Sequence, residues 1–387
     1  MSSSARATAH LVIGGGLAGS TLAMRLAGAE REVTLLERER TAQHKVCGEF
    51  LSREAVHYLE QAGVNPLELG AKTIRLVRLA SRSRIVEAAL PFPALSLSRR
   101  VLDEAMLNLA AQQGCRVERG AHVESLFAKD DTWRAELRGG GSWSASQVFL
   151  ANGKHDLRGW ERKPGAHGDL VGFKMHWRLA PGQTAALREA IELFLFPGGY
   201  GGLSLVEGDA ANFCFVVRRA TLRETGGWPE MLAAMQEKNP HIAERLSGAL
   251  PLWHRPLAVS SIPYGHLAGR PFGLWCVGDQ AAVIPSFTGD GMSIALHSGA
   301  LAAQMFLAGQ SAAQYHQLLC AQLNRGMSLA TGISRAMVSG VGRSLAPIAV
   351  SLFPGVMAQI ARSTRIPEKA MLRTMERPLT PQPAATR

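Results

Sequence analysis

The stretch HLVIGGGLAGSTLAMRLAG, residues 10–28, restricts the possible folds more than any other part of the chain. Leu11, Val12 and Ile13 form a short apolar run of the kind a buried parallel strand requires. Gly14, Gly16 and Gly19 follow in the order G-x-G-x-x-G, and an Ala- and Leu-rich helical pattern runs on from Ser20. In such a unit the first glycine permits a tight turn and the second lets the backbone approach a pyrophosphate. The third lets helix and strand pack closely. The turn, with Leu17 and Ala18 between the glycines, also offers free N–H groups and a partial positive charge to phosphates. REVTLLERE then reads as a second strand that ends at Glu37, eighteen residues past Gly19, with Arg38 next. A carboxylate there accepts hydrogen bonds from an adenosine ribose. An ordinary glycine turn and a surface charge would explain the parts separately, but not their common register. The expectation is an α/β, Rossmann-like dinucleotide-binding domain.

These first residues do not choose between NAD and FAD. A second block, PFGLWCVGDQAAVIPSFTGDGMSIALHSGALAA, bears on that choice. It begins with a buried strand over Leu274 to Val277 and reaches Gly278-Asp279. After Pro285, Gly289 and Gly291 open a helix that extends through Ala303, with Asp290 and Met292 in the same turn. An acid at the strand end suits a ribityl hydroxyl. A helix N-terminus beside a flavin pyrimidine stabilises the negative charge that builds up on reduction.

Together with KVCGEFLS at 45–52 and LSRRVLDEAML at 97–107, these blocks resemble the flavoproteins of the aromatic-hydroxylase and geranylgeranyl-reductase superfamily, over most of residues 8–310. The resemblance implies FAD. It implies that Gly14, Gly16, Gly19 and Glu37 hold the ADP half, that Arg99 reaches the pyrophosphate, and that Asp279 binds the ribityl chain. Gly289 and Gly291 would face the isoalloxazine, and Leu17, Ala18, Arg38, Cys47, Asp290 and Met292 belong to the same cofactor segments. One block departs from the pattern. VFLANGKHDLRG carries Asn152-Gly153 where the superfamily has an Asp-Gly pair implicated in FAD and NAD(P)H binding. Asparagine keeps the acceptor but not the charge. NAD(P)H is still the electron donor the resemblance implies.

A chain of 387 residues exceeds a usual single core. We expect a discontinuous FAD-binding domain over 8–67, 99–160 and 272–310, and a substrate domain over 68–98 and 161–271. A helical extension is expected over 311–375 and a disordered tail over 376–387. LVGFKMHWRL and IELFLFPGGYGGLSLVEGDAANFCFVVRR alternate apolar and polar residues around glycine turns, which predicts an inserted antiparallel β-sheet roofing the flavin. Its inward residues, Phe173, Met175, Trp177, Phe194, Phe196, Tyr200, Leu203 and Phe215, read mostly as core. Tyr200 is singled out, because it stands in a glycine-flanked turn where the resemblance places an aromatic near the substrate.

Cys47 lies between Lys45 and Glu49 in a segment that the resemblance runs past the flavin. A thiol beside a cation can donate or accept a proton; the alternative is a small buried hydrophobe. Lys45 and Tyr200 complete the candidate catalytic set, and His44 and His155 are further proton carriers or structural groups. The five cysteines, 47, 115, 214, 276 and 320, show no metal-ligand spacing, so no metal is expected. Their odd number without a secretory signal favours a reducing cytosol. The first ten residues read as a disordered lead-in. The net charge of +11 is scattered, with no basic run interleaved with aromatics, which argues against nucleic acid. It suits anionic membrane surfaces or acidic partners better. The stretch 344–361 is apolar enough to suggest a membrane span, but Pro347 and Pro354 break it. We expect it to pack on the core or over the pocket mouth, with peripheral membrane contact as the alternative.

Three functions compete. The sequence favours a monooxygenase that hydroxylates a hydrophobic phenolic or polyketide-like molecule through a flavin hydroperoxide. The alternative is a geranylgeranyl-reductase-like flavoprotein that reduces C=C bonds of an isoprenoid lipid, with Cys47 assisting proton delivery. The third is a non-catalytic flavoprotein or lipid carrier. The W-x-W-x-I-P stretch typical of tryptophan halogenases is absent, which argues against halogenation.

Overall fold

The computed structural model describes residues 5–372, except 82–83, 130, 164, 166–167, 270–272 and 340–354. Two sheets organise the chain. The first is built on β1 (Ala5–Ile13) and β2 (Val33–Glu37), joined by helix α1 (Leu17–Gly28). β6 (Arg116–Arg119) pairs parallel to β2, and β9 (Ser142–Leu150) pairs parallel to β1 on its other side. β7 (Val123–Lys129) and β8 (Thr132–Leu137) extend the sheet beyond β9 as an antiparallel hairpin. β17 (Trp275–Cys276) adds to β9 in parallel, so the late block does return to the first domain. It is shorter than the run expected over Leu274–Val277. Leu11, Val12, Leu35 and Phe149 are all fully buried, as central strands covered on both faces must be.

The lead-in is not disordered from residue 5 onward. Ala5 to Thr8 pair with Ser142 to Ala145, and the Arg6 guanidinium lies 5.6 Å from the Trp143 ring centre. Pairing with β9 and this cation–π contact satisfy a stretch whose composition alone offered no apolar core.

The second sheet runs in the order β14 (Leu250–Pro251), β10 (Leu170–Arg178), β13 (Ala211–Arg218), β12 (Gly199–Leu205), β11 (Glu189–Phe196), β4 (Lys72–Ser81), β5 (Arg84–Ser96) and β3 (Phe50–Leu51). β3, β4 and β5 come from the early segment. The other five come from the late one, and β15 (Leu257–Ser260) pairs with β10. The two contributions meet at a parallel β11–β4 junction, so the sheet is mixed rather than wholly antiparallel. β3 joins this sheet although it falls inside a segment assigned by sequence to the cofactor domain.

The pleat sends alternate residues to opposite faces. Phe173, Met175, Trp177, Phe194, Phe196 and Phe215 pack together on one face against helices in 228–246. None of these six lines the cavity beneath the sheet, so these aromatics are core. The opposite face carries Leu193, Leu195, Tyr200, Cys214 and Val216, and these line the cavity. Tyr200 therefore differs in placement from the other predicted inward residues.

Helices α2 (Arg53–Gln61), α3 (Arg99–Gln112) and α8 (Gly291–Leu307) complete the first domain, with α1 packing against both α3 and α8. α9 (Ala312–Val338) and a short helix over Gly355–Ser363 follow. Of the stretch 344–361 only 355–361 is described, and the tail 376–387 lies outside the described residues. Among the described residues no helix is long and apolar enough to cross a membrane.

Candidate active site

The G-x-G-x-x-G turn is shaped by close contacts. A Cβ at Gly14, whose φ is +110°, would lie 2.4 Å from the Ala151 carbonyl oxygen, and one at Gly19 would lie 2.0 Å from Gly14 O. Only hydrogen fits at either place. Gly16 is different, since a Cβ there meets nothing nearer than Arg99 Nη2 at 3.5 Å and Lys45 Nζ at 3.6 Å. Gly16 is also the residue before α1, and no side chain caps that helix. Free N–H groups, open space and two cations thus converge. This is the arrangement an anionic diphosphate needs.

Glu37 is half-buried at the end of β2. Its Oε2 accepts from Gly15 N at 2.7 Å and its Oε1 from Glu39 N at 2.9 Å, which fixes the carboxylate beside the turn. Arg38 points to solvent and pairs with Glu39. Arg99 opens α3 and reaches back to Asp103 through Nε (2.7 Å) and Nη2 (2.9 Å). Lys45 Nζ binds the same carboxylate at 2.6 Å. Burial opposes the charge on Asp103, but Arg99 and Lys45 outweigh it and hold the carboxyl below its ordinary range. Lys45 therefore stands with Arg99 beside the glycine turn. It does not line the cavity that holds Cys47, which alters the role expected from its sequence position.

That cavity has a volume of about 260 Å³ and is walled by the second sheet on one side and the 279–292 segment on the other. Cys47, Glu49, Lys154, Asp279, Gly289 and Met292 contribute to its wall, as do Gly291 and Tyr200. Lys154 is the lysine of this wall among the described residues. Its Nζ donates to Val46 O at 3.1 Å and lies 3.7 Å from Asp279 Oδ2. A Cβ at Gly289 would strike the Phe50 ring at 2.4 Å, whereas Gly291 faces open space at the start of α8. Asn152 donates from Nδ2 to His155 O, and its Oδ1 is buried without a protein partner. Gly153 O accepts from Gln280 Nε2 at 2.7 Å. The open N–H groups, the cations and this unpaired acceptor fit a flavin dinucleotide.

Asp290 is placed otherwise than expected. It immediately precedes α8, but its carboxylate turns to Arg365, 2.6 Å away, instead of lining the cavity. The Tyr200 hydroxyl sits within 3.4 Å of Ser286 Oγ and Ser334 Oγ, and burial pushes its pKa up. His44 stacks edge-on to His176 at 4.8 Å, and burial pushes its pKa down to about 4. His155 is exposed, though partial desolvation still lowers its pKa.

Sequence reasoning missed one cluster. Glu49, Lys174 and His176 are buried together, with Glu49 accepting from Lys174 Nζ and lying 2.9 Å from His176 Nε2. Burial raises the Glu49 pKa, but Lys174 and His176 more than reverse this and hold the carboxyl low. Donor atoms of His44, Glu49 and His176 lie within 4.8 Å of one another. The Lys174 ammonium already occupies Glu49, and its charge opposes a metal cation. Two polar residues at i and i+2 in the apolar strand LVGFKMHWRL were the available signal.

Residues 7–148 match the family described as FAD binding domain. This stretch is an FAD-binding domain, as the glycine turn and Glu37 led us to expect. The chain is 26% identical over 315 residues, 76% of each chain, to digeranylgeranylglycerophospholipid reductase 2 of Methanopyrus kandleri. It is 25% identical over 342 residues to menaquinone reductase of Mycobacterium tuberculosis, covering 83% of this chain and 81% of the other. Among solved structures, halogenase PltM in complex with phloroglucinol and FAD superposes with a TM-score of 0.73 at 14% identity, over 92% of this chain and 82% of that one. The chondrochloren halogenase CndH gives 0.74 at 17% identity, over 95% and 92%. At these identities the structural neighbours establish the fold and nothing finer.

Proposed function

We propose that this flavoprotein reduces a carbon–carbon double bond of a hydrophobic small molecule. The carrying observation is the position of Cys47. Its thiol lies on the cavity wall, and its Sγ accepts from Glu49 N at 3.3 Å. Bound FAD, reduced by a donor of the reduced-nicotinamide class, would supply a hydride. Cys47 then gives its proton to the adjacent carbon, so the C=C unit gains two hydrogens and solvent reprotonates the sulfur. The Glu49 N–H meets the charge left on sulfur as the proton departs. Apolar side chains such as Leu79, Leu195 and Val216 hold the rest of the molecule. Reduction is also the activity in the names of the two curated relatives described above.

Hydroxylation is the second reading, favoured by the apolar walls that Ile333, Met337 and Met357 add from the C-terminal region. Such walls keep water from a reactive intermediate. One experiment separates the two readings. Protein reduced anaerobically with NADH or NADPH is given candidate hydrophobic substrates, first without and then with oxygen. A product heavier by two hydrogens, formed without oxygen, supports reduction. A product heavier by one oxygen atom, formed only with oxygen, supports hydroxylation instead.

A further inference from the structure

Glu49 is not placed as a filler of the core. Its φ is +58°, a left-handed conformation that a side chain other than glycine, Asn or Asp rarely adopts. Four partners hold it there. Oε1 accepts from Lys174 Nζ and from Arg99 N at 2.8 Å, Oε2 pairs with His176 Nε2, and the Glu49 carbonyl accepts from Leu97 N at 3.2 Å. The preceding turn is pinned as well, with Val46 O receiving Lys154 and Cys47 O receiving Asn212 Nδ2 at 3.2 Å. A buried carboxylate with this many partners costs desolvation that an apolar side chain would avoid. The backbone it stabilises aims one N–H at the Cys47 sulfur.

We propose that Glu49 is a positioning residue for Cys47. Its side chain locks the left-handed turn whose N–H holds the Cys47 sulfur, and through Arg99 N it ties that turn to the start of the phosphate-binding helix α3. This rests on the reading of Cys47 as a proton donor, but its test does not use turnover.

The measurement is the rate of Cys47 alkylation by iodoacetamide in FAD-loaded protein, resolved by peptide mass spectrometry with Cys320, which donates to Ala268 O away from this cluster, as internal control. Iodoacetamide must meet the sulfur from the cavity side, so the rate reports how firmly the turn presents Sγ there. Glu49→Gly keeps the left-handed region open to the backbone and removes every side-chain anchor. We expect it to slow Cys47 alkylation on the order of tenfold, with Cys320 unchanged. Glu49→Gln keeps the acceptor for Lys174 and Arg99 N. It should lower Tm while leaving the Cys47 rate near that of wild type. If Glu49→Gly fails to fold because Lys174 is left unpaired, the double variant Glu49→Gly/Lys174→Met carries the same expectation. An unchanged or faster Cys47 rate in the glycine variant overturns the proposal, as does a loss in the glutamine variant that follows Tm. Failure of Cys47→Ser to impair turnover would remove the functional reading and leave this result standing.

Discussion

Arg365 Nη1 donates to Asp290 Oδ1 at 2.6 Å, with both side chains buried, and so fastens the C-terminal segment to the residue that precedes α8. The guanidinium also lies 4.6 Å from the Phe92 ring centre, on a strand of the other sheet. One side chain thus spans the helix that faces the cavity and the inserted sheet. Burial pushes the Asp290 carboxyl up from 3.8 to about 6, with Arg365 opposing and Glu54 adding to the rise.

This gives a signed pH dependence. A carboxyl raised in the folded state contributes its full stability below about pH 4 and loses it as pH rises through about 6. Asp290→Asn does not titrate. Its stability relative to wild type should therefore climb between about pH 4 and pH 6 and then level off. Urea unfolding at a series of pH values measures this, and parallel curves for the two proteins would refute it.

Two glycines of one motif should fail in different ways. Gly16→Leu meets no backbone within 3.4 Å, so the apoprotein should lose about 0.5 kcal/mol or less. Its side chain fills the space between the helix start and the two cations, so FAD content should fall to near zero. Gly19→Ala drives a methyl into Gly14 O, a backbone atom, and should destabilise the fold by about 1–3 kcal/mol or more. Flavin absorbance and thermal unfolding of both variants distinguish the outcomes.

Glu37 and Glu39 are neighbours with unequal duties. Glu37 accepts from Gly15 N at the turn, whereas Glu39 pairs with Arg38 at the surface. Glu37→Ala should weaken FAD about tenfold, the loss of roughly one charged hydrogen-bonding group. Glu39→Ala should leave affinity near that of wild type. Equal dissociation constants by fluorescence titration would show that Glu37 does not contact the ribose.

Cys47→Ser separates the two reactions. Reduction should drop about a hundredfold or more with FAD content normal, because general acid catalysis is typically worth that much. Hydroxylation should change only through packing. Product per bound flavin is the quantity to compare, and a mild loss counts against the thiol as proton donor.

The cofactor half of the site was legible because its signals are local. Glycine spacing, an apolar run and an acid at a strand end all lie within a few turns of chain. The inserted sheet was legible as alternation, but alternation does not say which face meets the cavity. The aromatics of β10 and β13, read mostly as core, are core, on the face turned from the cavity. Lys45 looked like the partner of Cys47 because it is two residues away. Lys154, far along the chain, lines the cavity in its place. The Glu49, Lys174 and His176 cluster draws on segments more than a hundred residues apart, and no local pattern marks that pairing.

The late arrival of β17 also bears on how the chain is made. The Trp275–Cys276 strand docks beside Phe149 and Leu150 only after the whole second sheet has been synthesised. Until then the Phe149–Leu150 end of β9, beyond the part paired with β8, leaves apolar backbone groups unpaired, a template for association with other chains. A nascent chain therefore passes through a long interval in which its first domain is recognisable but unfinished. Aggregation during expression should depend on how quickly synthesis reaches residue 276.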